Sequence, residues 1–406
     1  MSYPKTSVKQ TDALAAKGSF KVGCKILNGE LLPEALCFDE VETPPKNAVW
    51  ADYSAASKRF FAFAEGKLFT SPSGEKFVEI AAAQGEPFLI EEVENGRHNS
   101  FVICGAKCVV YDGQTFFEKP LNRGIYAGVM KCGRLFCADL DDKTVLRWSG
   151  TDGAFDWEES ISGAGWLKLD AAFGAILNLA VLDDYVAVVR EFGITLLSAF
   201  GSPENFKQQN KLQKTPKIFK NTAAVINGKL YFYTAEGLCF YDGNKLLKIT
   251  LNEGETFENP AYAAVYGQKY CVCGFSARLN RKAVLVYEPA DGDGYLIDFP
   301  ATSLCAHEKL LAFTEEGAFI AKCGGNYAFE SGEITFGTVK NKTLTKIEIF
   351  GGKADVEISN GVVLRILGGV SGSARVNLRG GSFKITVKGS EKLSGVKAFA
   401  EVGYEI

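Results

Sequence analysis

The sequence predicts an all-β protein built around a β-propeller, and three observations carry that expectation. A hydrophobic strand motif recurs about seven times, its copies opening at Phe60, Phe101, Leu135, Tyr185, Leu230, Tyr270 and Leu310. The intervals are 41, 34, 50, 45, 40 and 40 residues, and a period near 40 with several strands per unit marks propeller blades rather than a helical solenoid. Thirty Phe and fifteen Tyr against two Met suit pleated sheets packed face to face, and 43 Gly suit many tight turns.

Residues 1–46 read as an N-terminal arm and linker. The arm holds a short hairpin, Phe20-Lys-Val-Gly-Cys-Lys-Ile-Leu with a turn at Asn28-Gly29, and ends in the stiff Pro44-Pro45 segment. Such a hairpin could close the ring by lending a strand to the last blade, or reach a neighbouring subunit. Residues 47–333 form the repeat block. Leu230-Tyr-Phe-Tyr-Thr-Ala-Glu-Gly237 and Leu310-Leu-Ala-Phe-Thr-Glu-Glu-Gly317 are its clearest copies. Turn signals at Asp112-Gly113, Asp152-Gly153, Asn227-Gly228, Asp242-Gly243 and Asp293-Gly294 are expected to separate its units. Seven blades are expected, with six or eight open, since the Leu135 to Tyr185 interval is long and the arm could complete a blade.

From residue 334 to 406 the alternation becomes cleaner. Ala354, Val356 and Ile358 fall on one strand face with Asp355 and Glu357 on the other; Phe383, Ile385 and Val387 oppose Lys384 and Thr386. Gly351-Gly352, Gly368-Gly369 and Gly380-Gly381 punctuate these strands, which predicts a small β-sandwich-like domain. Between residues 338 and 390 nine Lys/Arg stand against three Asp/Glu, a local charge of +6 that suits a solvated sheet face or an acidic protein partner.

Composition excludes several classes. A net charge of −3 predicts no general attraction to nucleic acid or anionic membranes, and no apolar run reaches the length of a spanning helix. The start, Met1 to Gln10, lacks the apolar stretch of a secretory signal. The eleven cysteines include no CxxC pair, and Cys104, Cys108, Cys137, Cys239, Cys271 and Cys273 sit in apolar strands as small hydrophobes, which fits a reducing cytoplasm.

No constellation carries chemistry. The only histidines, His98 and His307, lie some 200 residues apart near the starts of blade strands. Asp141-Asp142 and Asp183-Asp184 belong to turns, where Asp bonds the backbone. Asp291-Gly-Asp293-Gly294 resembles the start of a calcium loop without its downstream bidentate Glu. Ser149-Gly-Thr-Asp152-Gly153 fails the sialidase Asp-box, because its Asp abuts Gly. The sequence therefore points to no catalytic, cofactor-binding or metal-binding residue.

The stretch Arg134–Leu197 holds Leu135-Phe-Cys-Ala-Asp139, Val145-Leu-Arg147-Trp148-Ser149, Phe155-Asp-Trp157, and Tyr185-Val-Ala-Val-Val-Arg-Glu-Phe-Gly193-Ile-Thr-Leu-Leu197. It resembles β-propeller proteins of bacteriophage and prophage tails, similar to the tail hub or nozzle proteins of short-tailed phages. The resemblance implies a non-enzymatic structural component of the virion tail, made in the bacterial host cytoplasm. It implies a homo-oligomeric ring contacting other tail or adaptor proteins, with a host surface receptor as a further partner. Without the resemblance, the same residues suit a glycan-binding or glycan-cleaving bacterial propeller, or an intracellular scaffold. Trp148 and Trp157 are expected to fill space between blades.

Overall fold

A computed structural model describes the chain except residues 1–5, 17–18, 35, 95–96, 152, 158–161, 210–212, 252–255 and 404–406. The predicted turn residue Asp152 thus lies outside the described residues. The described chain is all-β; its short helical pieces include single 3-10 turns at Ala171–Phe173 and Pro203–Asn205. Among the described residues no helix is long and apolar enough to cross a membrane.

The strands form a β-propeller arrangement. One sheet runs through Ala48–Ser54, Arg59–Ala64, Lys67–Ser71 and Val78–Ala82, each strand antiparallel to the last. A six-stranded sheet follows, in which the long strands Arg97–Tyr111 and Phe116–Lys131 each change partner at a bulge. Then come a five-stranded sheet led by Ile176–Leu182 and a four-stranded sheet led by Ala224–Ile226. Glu258–Tyr266, Lys269–Ser276, Arg281–Glu288 and Asp293–Ile297 form a further antiparallel run at one end of an 11-stranded sheet. Ser303–Ala306, Leu310–Phe313 and Ala318–Cys323 complete the block.

Strand periodicity explains why these sheets stand radially. Successive side chains leave a strand on opposite faces, so a strand buried on both faces must meet a different neighbour on each. In Arg59–Ala64, Phe61 and Phe63 pack with Val102 and Val109 of the following sheet, while Phe60, Ala62 and Ala64 pack with Leu311, Phe313 and Ala318 of the last. In Lys229–Thr234, Leu230 and Phe232 face the preceding sheet, whereas Tyr231 and Tyr233 face the following one. Cys271 and Cys273 enter one cluster together, as their spacing requires, and Tyr270 and Val272 enter another. All six strand cysteines singled out above are buried.

The arm closes the ring. Leu36–Glu40 pairs antiparallel with Ala318–Cys323, setting Phe38 opposite Ala321 and Asp39 opposite Ile320. The closing strand therefore lies beyond the Phe20–Leu27 segment. Those residues instead form Phe20–Val22, which pairs antiparallel with Tyr327–Glu330, and Cys24–Leu27, which pairs with Glu30–Pro33 around the expected Asn28-Gly29 turn. Pro44 then lies where a Cβ on Gly317 would sit, 2.8 Å from its ring, so the Thr314–Gly317 turn needs a residue without one.

The turns at Asp112-Gly113, Asn227-Gly228 and Asp242-Gly243 join paired strands within one sheet instead of separating units, because their short reach suits a hairpin. Asp112 Oδ1 accepts from the N–H groups of Gln114 and Thr115 at 2.9 and 2.8 Å, and Asp242 Oδ1 does the same for Asn244 and Lys245 at 2.8 and 2.7 Å. Asp293-Gly294 is different, since it opens the strand Asp293–Ile297 opposite Glu288.

The C-terminal region is built on two long strands, Lys342–Ser359 and Leu364–Gly380, joined as a hairpin. Gly351-Gly352 and Gly368-Gly369 fall inside these strands, where the register shifts, rather than between strands. Left-handed backbone at Gly351 (φ +84°) and Gly369 (φ +59°) bends the ribbon without ending it. Lys384–Gly389, Gly395–Gly403 and the N-terminal Thr6–Asp12 extend the sheet. Its core unites Ala354, Val356, Ile358, Phe383, Ile385 and Val387, the residues that alternation placed inward, with Ala13, Leu14, Cys24 and Leu31 of the arm.

Candidate functional site

The segment that carries the tail resemblance is structural in its local chemistry. Arg134 is buried, and its Nη1 donates to the carbonyls of Ser149, Gly163 and Ser162 at 2.7, 3.0 and 3.3 Å. Ser149 Oγ accepts from the Leu135 N–H and donates to the Gly150 carbonyl, both at 2.9 Å. Trp148 sits edge-on to Phe206 at 5.3 Å, packed with Val186, Val188 and Leu197 of the next sheet. Trp157 packs against the cluster of Phe101 and Leu135. Both tryptophans fill space between sheets, as expected. Arg147 is ion-paired with buried Asp139, which also accepts from the Asp141 and Asp142 N–H groups at 2.9 and 3.2 Å. Burial alone would raise that carboxyl; Arg147 and the two amides outweigh it and hold it below its ordinary value.

The other residues weighed for chemistry are scattered. His98 is exposed on the second strand of the six-stranded sheet. His307 stacks on Tyr53 at 3.8 Å and lines a cavity of about 460 Å³ with Lys58, Ser73 and Lys309. Asp142 accepts from the Thr144 hydroxyl at 2.7 Å and pairs with Lys168 at 2.9 Å, contacts that hold its carboxyl well below the usual range. Asp183 occupies a turn in the left-handed region. Asp291 and Asp293 each hold a lysine of the arm. Asp291 pairs with Lys25 at 3.2 Å, and Asp293 pairs with the buried Lys21. Lys25 also meets Glu288 at 2.9 Å and Glu34 at 3.6 Å. Among the described residues no group of three or more His, Cys, Asp or Glu could hold a metal ion.

Two features stand out that the sequence did not single out. The first is the axis. Ala48–Ser54, Ile176–Leu182, Ala224–Ile226, Glu258–Tyr266 and Ser303–Ala306 all border one cavity of about 330 Å³, lined by Trp50, Asp52, Asn178, Asn221, Tyr262 and Cys305 among others. Burial in this wall pushes the Asp52 carboxyl up to about 7, with Glu91 adding repulsion and the Tyr53 N–H, at 2.8 Å, pulling the other way. Tyr262 donates its hydroxyl to the Ala51 carbonyl at 3.0 Å. A single Asp among 48 acidic residues gives no signal in sequence; only ring closure brings it to the axis.

The second is the tip of the C-terminal hairpin. Val362, Val363, Leu364 and Ile366 are all exposed, Val362 by 91% and Ile366 by 66%. Leu364–Gly380 pairs only with Lys342–Ser359, so its other edge is open among the described strands. Arg365, Arg375 and Arg379 lie along it. The run Val-Val-Leu-Arg-Ile following Asn360-Gly361 was the available signal, since a hairpin turn puts its neighbours at a tip.

No protein-family model matches the chain, and no curated protein matches it. Solved structures are similar to it over much of its length. The chain is similar to PorZ, a bacterial surface component of the type-IX secretion system of Porphyromonas gingivalis, at 10% identity and a TM-score of 0.48 over 91% of this chain and 62% of that one. It is similar to the extracellular domain of a putative one-component system of B. thetaiotaomicron at 10% identity and 0.49, over 84% and 48% of the two chains. The WD40 domain of Neurospora crassa Pan2 follows at 8% and 0.47, over 70% and 90%. The chain thus spans less than two thirds of the first two structures.

Proposed function

We propose that this chain is a non-enzymatic structural component of a phage or prophage tail, hub-like or nozzle-like, that assembles with copies of itself into a symmetric ring. The Arg134–Leu197 resemblance supplies the family. Arg134, Trp148 and Ser149 of that stretch support the reading because they are occupied in packing or in holding backbone. The observation that carries assembly is the exposed apolar hairpin tip beside an open strand edge, on a region of charge +6. The remainder of the chain has charge −3 − 6 = −9, so one copy's basic edge complements another's acidic body.

The proposal takes the ring as seven blades with a C-terminal β-sandwich-like domain. Successive core clusters that link neighbouring sheets from Trp50 and Val102 round to Phe313 and Phe60 support this reading, with the six-stranded sheet taken as two blades and the Glu258–Ile297 run as one. A closed disc of this kind is rigid and suits a load-bearing ring.

Light scattering and negative-stain microscopy test the proposal. Rings are expected for the native chain. Val362→Ser/Leu364→Ser/Ile366→Ser is expected to weaken association at least tenfold while leaving the unfolding temperature within about 2 °C, since exposed sites contribute little to stability. A strict monomer absent from tail particles would sink the reading. So would glycan hydrolysis abolished by one Asp or Glu substitution.

A further inference from the structure

The axial cavity presents a carboxylate without a countercharge. Among its described lining residues none is Lys, Arg or His, and the titratable groups facing Asp52 are Glu91, Tyr262 and Cys305, none of which becomes a cation. The hydrogen bond that Asp52 accepts comes from the neighbouring Tyr53 N–H at 2.8 Å, and the nearby Tyr262 hydroxyl donates to the Ala51 carbonyl instead. The same wall carries two neutral amides, Asn178 from the strand Ile176–Leu182, whose Oδ1 also accepts from the Leu179 N–H at 2.8 Å, and Asn221 from the segment entering Ala224–Ile226. Carboxylate and amide oxygens are hard donors of the kind that bind hard cations.

Charge selects the occupant. Calcium sites commonly gather several carboxylates among six to eight oxygens, and magnesium demands a tight octahedron. This cavity has one carboxylate and is far larger than a single ion. Its volume of about 330 Å³ leaves room for several waters beside an ion. One carboxylate in a wall that otherwise offers neutral oxygens balances one positive charge. We propose that the propeller axis holds a monovalent cation, an alkali-metal ion or a primary ammonium group, against Asp52, with Asn178 and Asn221 as neutral oxygen donors. The site joins first strands from opposite parts of the ring, so its occupant would tie those units together and relieve the charge that burial now penalises.

Thermal unfolding of the full chain decides it. Chloride salts of sodium, potassium, ammonium and methylammonium are compared with tetramethylammonium at one ionic strength. At pH 8 a small cation is expected to raise the unfolding temperature by several degrees over tetramethylammonium; at pH 5.5, where Asp52 keeps its proton, the difference is expected to vanish. Response to alkali ions assigns a metal ion, and response to the ammonium salts alone assigns an amine. Asp52→Asn, which keeps the shape and loses the charge, is expected to abolish the difference. Equal temperatures in every salt at pH 8, a difference that persists at pH 5.5, or one that survives in Asp52→Asn would overturn the proposal. Because the wild-type pH comparison stands alone, failure of the variant to fold leaves the test intact.

Discussion

At the scale of single residues, burial decides which polar groups are strained and which are satisfied. Asp52 holds a proton up to about pH 7 in the folded chain, whereas an ordinary Asp loses it near 4. The folded state therefore binds an extra proton between these limits, and stability falls as pH rises through that window. Three pH units at about 1.4 kcal/mol each bound the loss at roughly 4 kcal/mol. Asp52→Asn should flatten the window; denaturant titrations at pH 5 and pH 8 in tetramethylammonium chloride measure it, and an unchanged slope would show Asp52 to be solvated. Trp148 tests the opposite kind of residue. Its ring fills the gap between two sheets, and Gly165 has no Cβ because one would lie 2.7 Å from that ring. Trp148→Ala should cost about 3–5 kcal/mol, checked by the same titration. The tryptophan's packing was legible from its place in an apolar strand. The role of Asp52 was not, because the feature that perturbs it is a neighbourhood assembled from five distant segments.

At the scale of elements, periodicity was the readable signal and partner choice was not. Period-two runs such as Phe60–Ala64 and Leu230–Tyr233 announced strands with two buried faces, and the aromatic density announced sheet-on-sheet packing. The closing strand escaped notice because Leu36–Glu40 is short and partly exposed, with no aromatic run to mark it. Paired glycines misled for a related reason: the same dipeptide that makes a turn also makes a bulge, and only long-range register distinguishes the two. Closure can be tested covalently. Cys37 stands directly opposite Lys322 across the closing pair. Lys322→Cys should form a disulfide on mild oxidation, visible as a mobility shift on a non-reducing gel. By closing a loop of nearly 300 residues it should add up to about 5 kcal/mol of stability, lost again on reduction. Failure of the cross-link would mean that the arm leaves the last sheet in solution.

At the scale of the whole molecule, charge is divided between a body and an appendage. The region 338–390 carries +6 and the rest of the chain −9, an asymmetry that net charge conceals. Association through that division should weaken as salt screens it, because the Debye length falls from about 10 Å at 0.1 M to about 3 Å at 1 M. Sedimentation velocity at the two ionic strengths measures the change; assembly that strengthens with salt would point to the apolar hairpin tip as the dominant contact.

The arm's pairing with Ala318–Cys323 also sets an order of events during synthesis. Residue 39 leaves the ribosome about 280 residues ahead of its partner Ile320. At about 5–20 residues per second, it waits roughly 15–60 s before a mate exists. Throughout that interval the earlier sheets lack their final neighbour and Phe60 has no Phe313 to cover it. The nascent protein is thus an open arc with a greasy end, and its yield in the cell will hinge on how well that end is shielded until translation supplies the last strands.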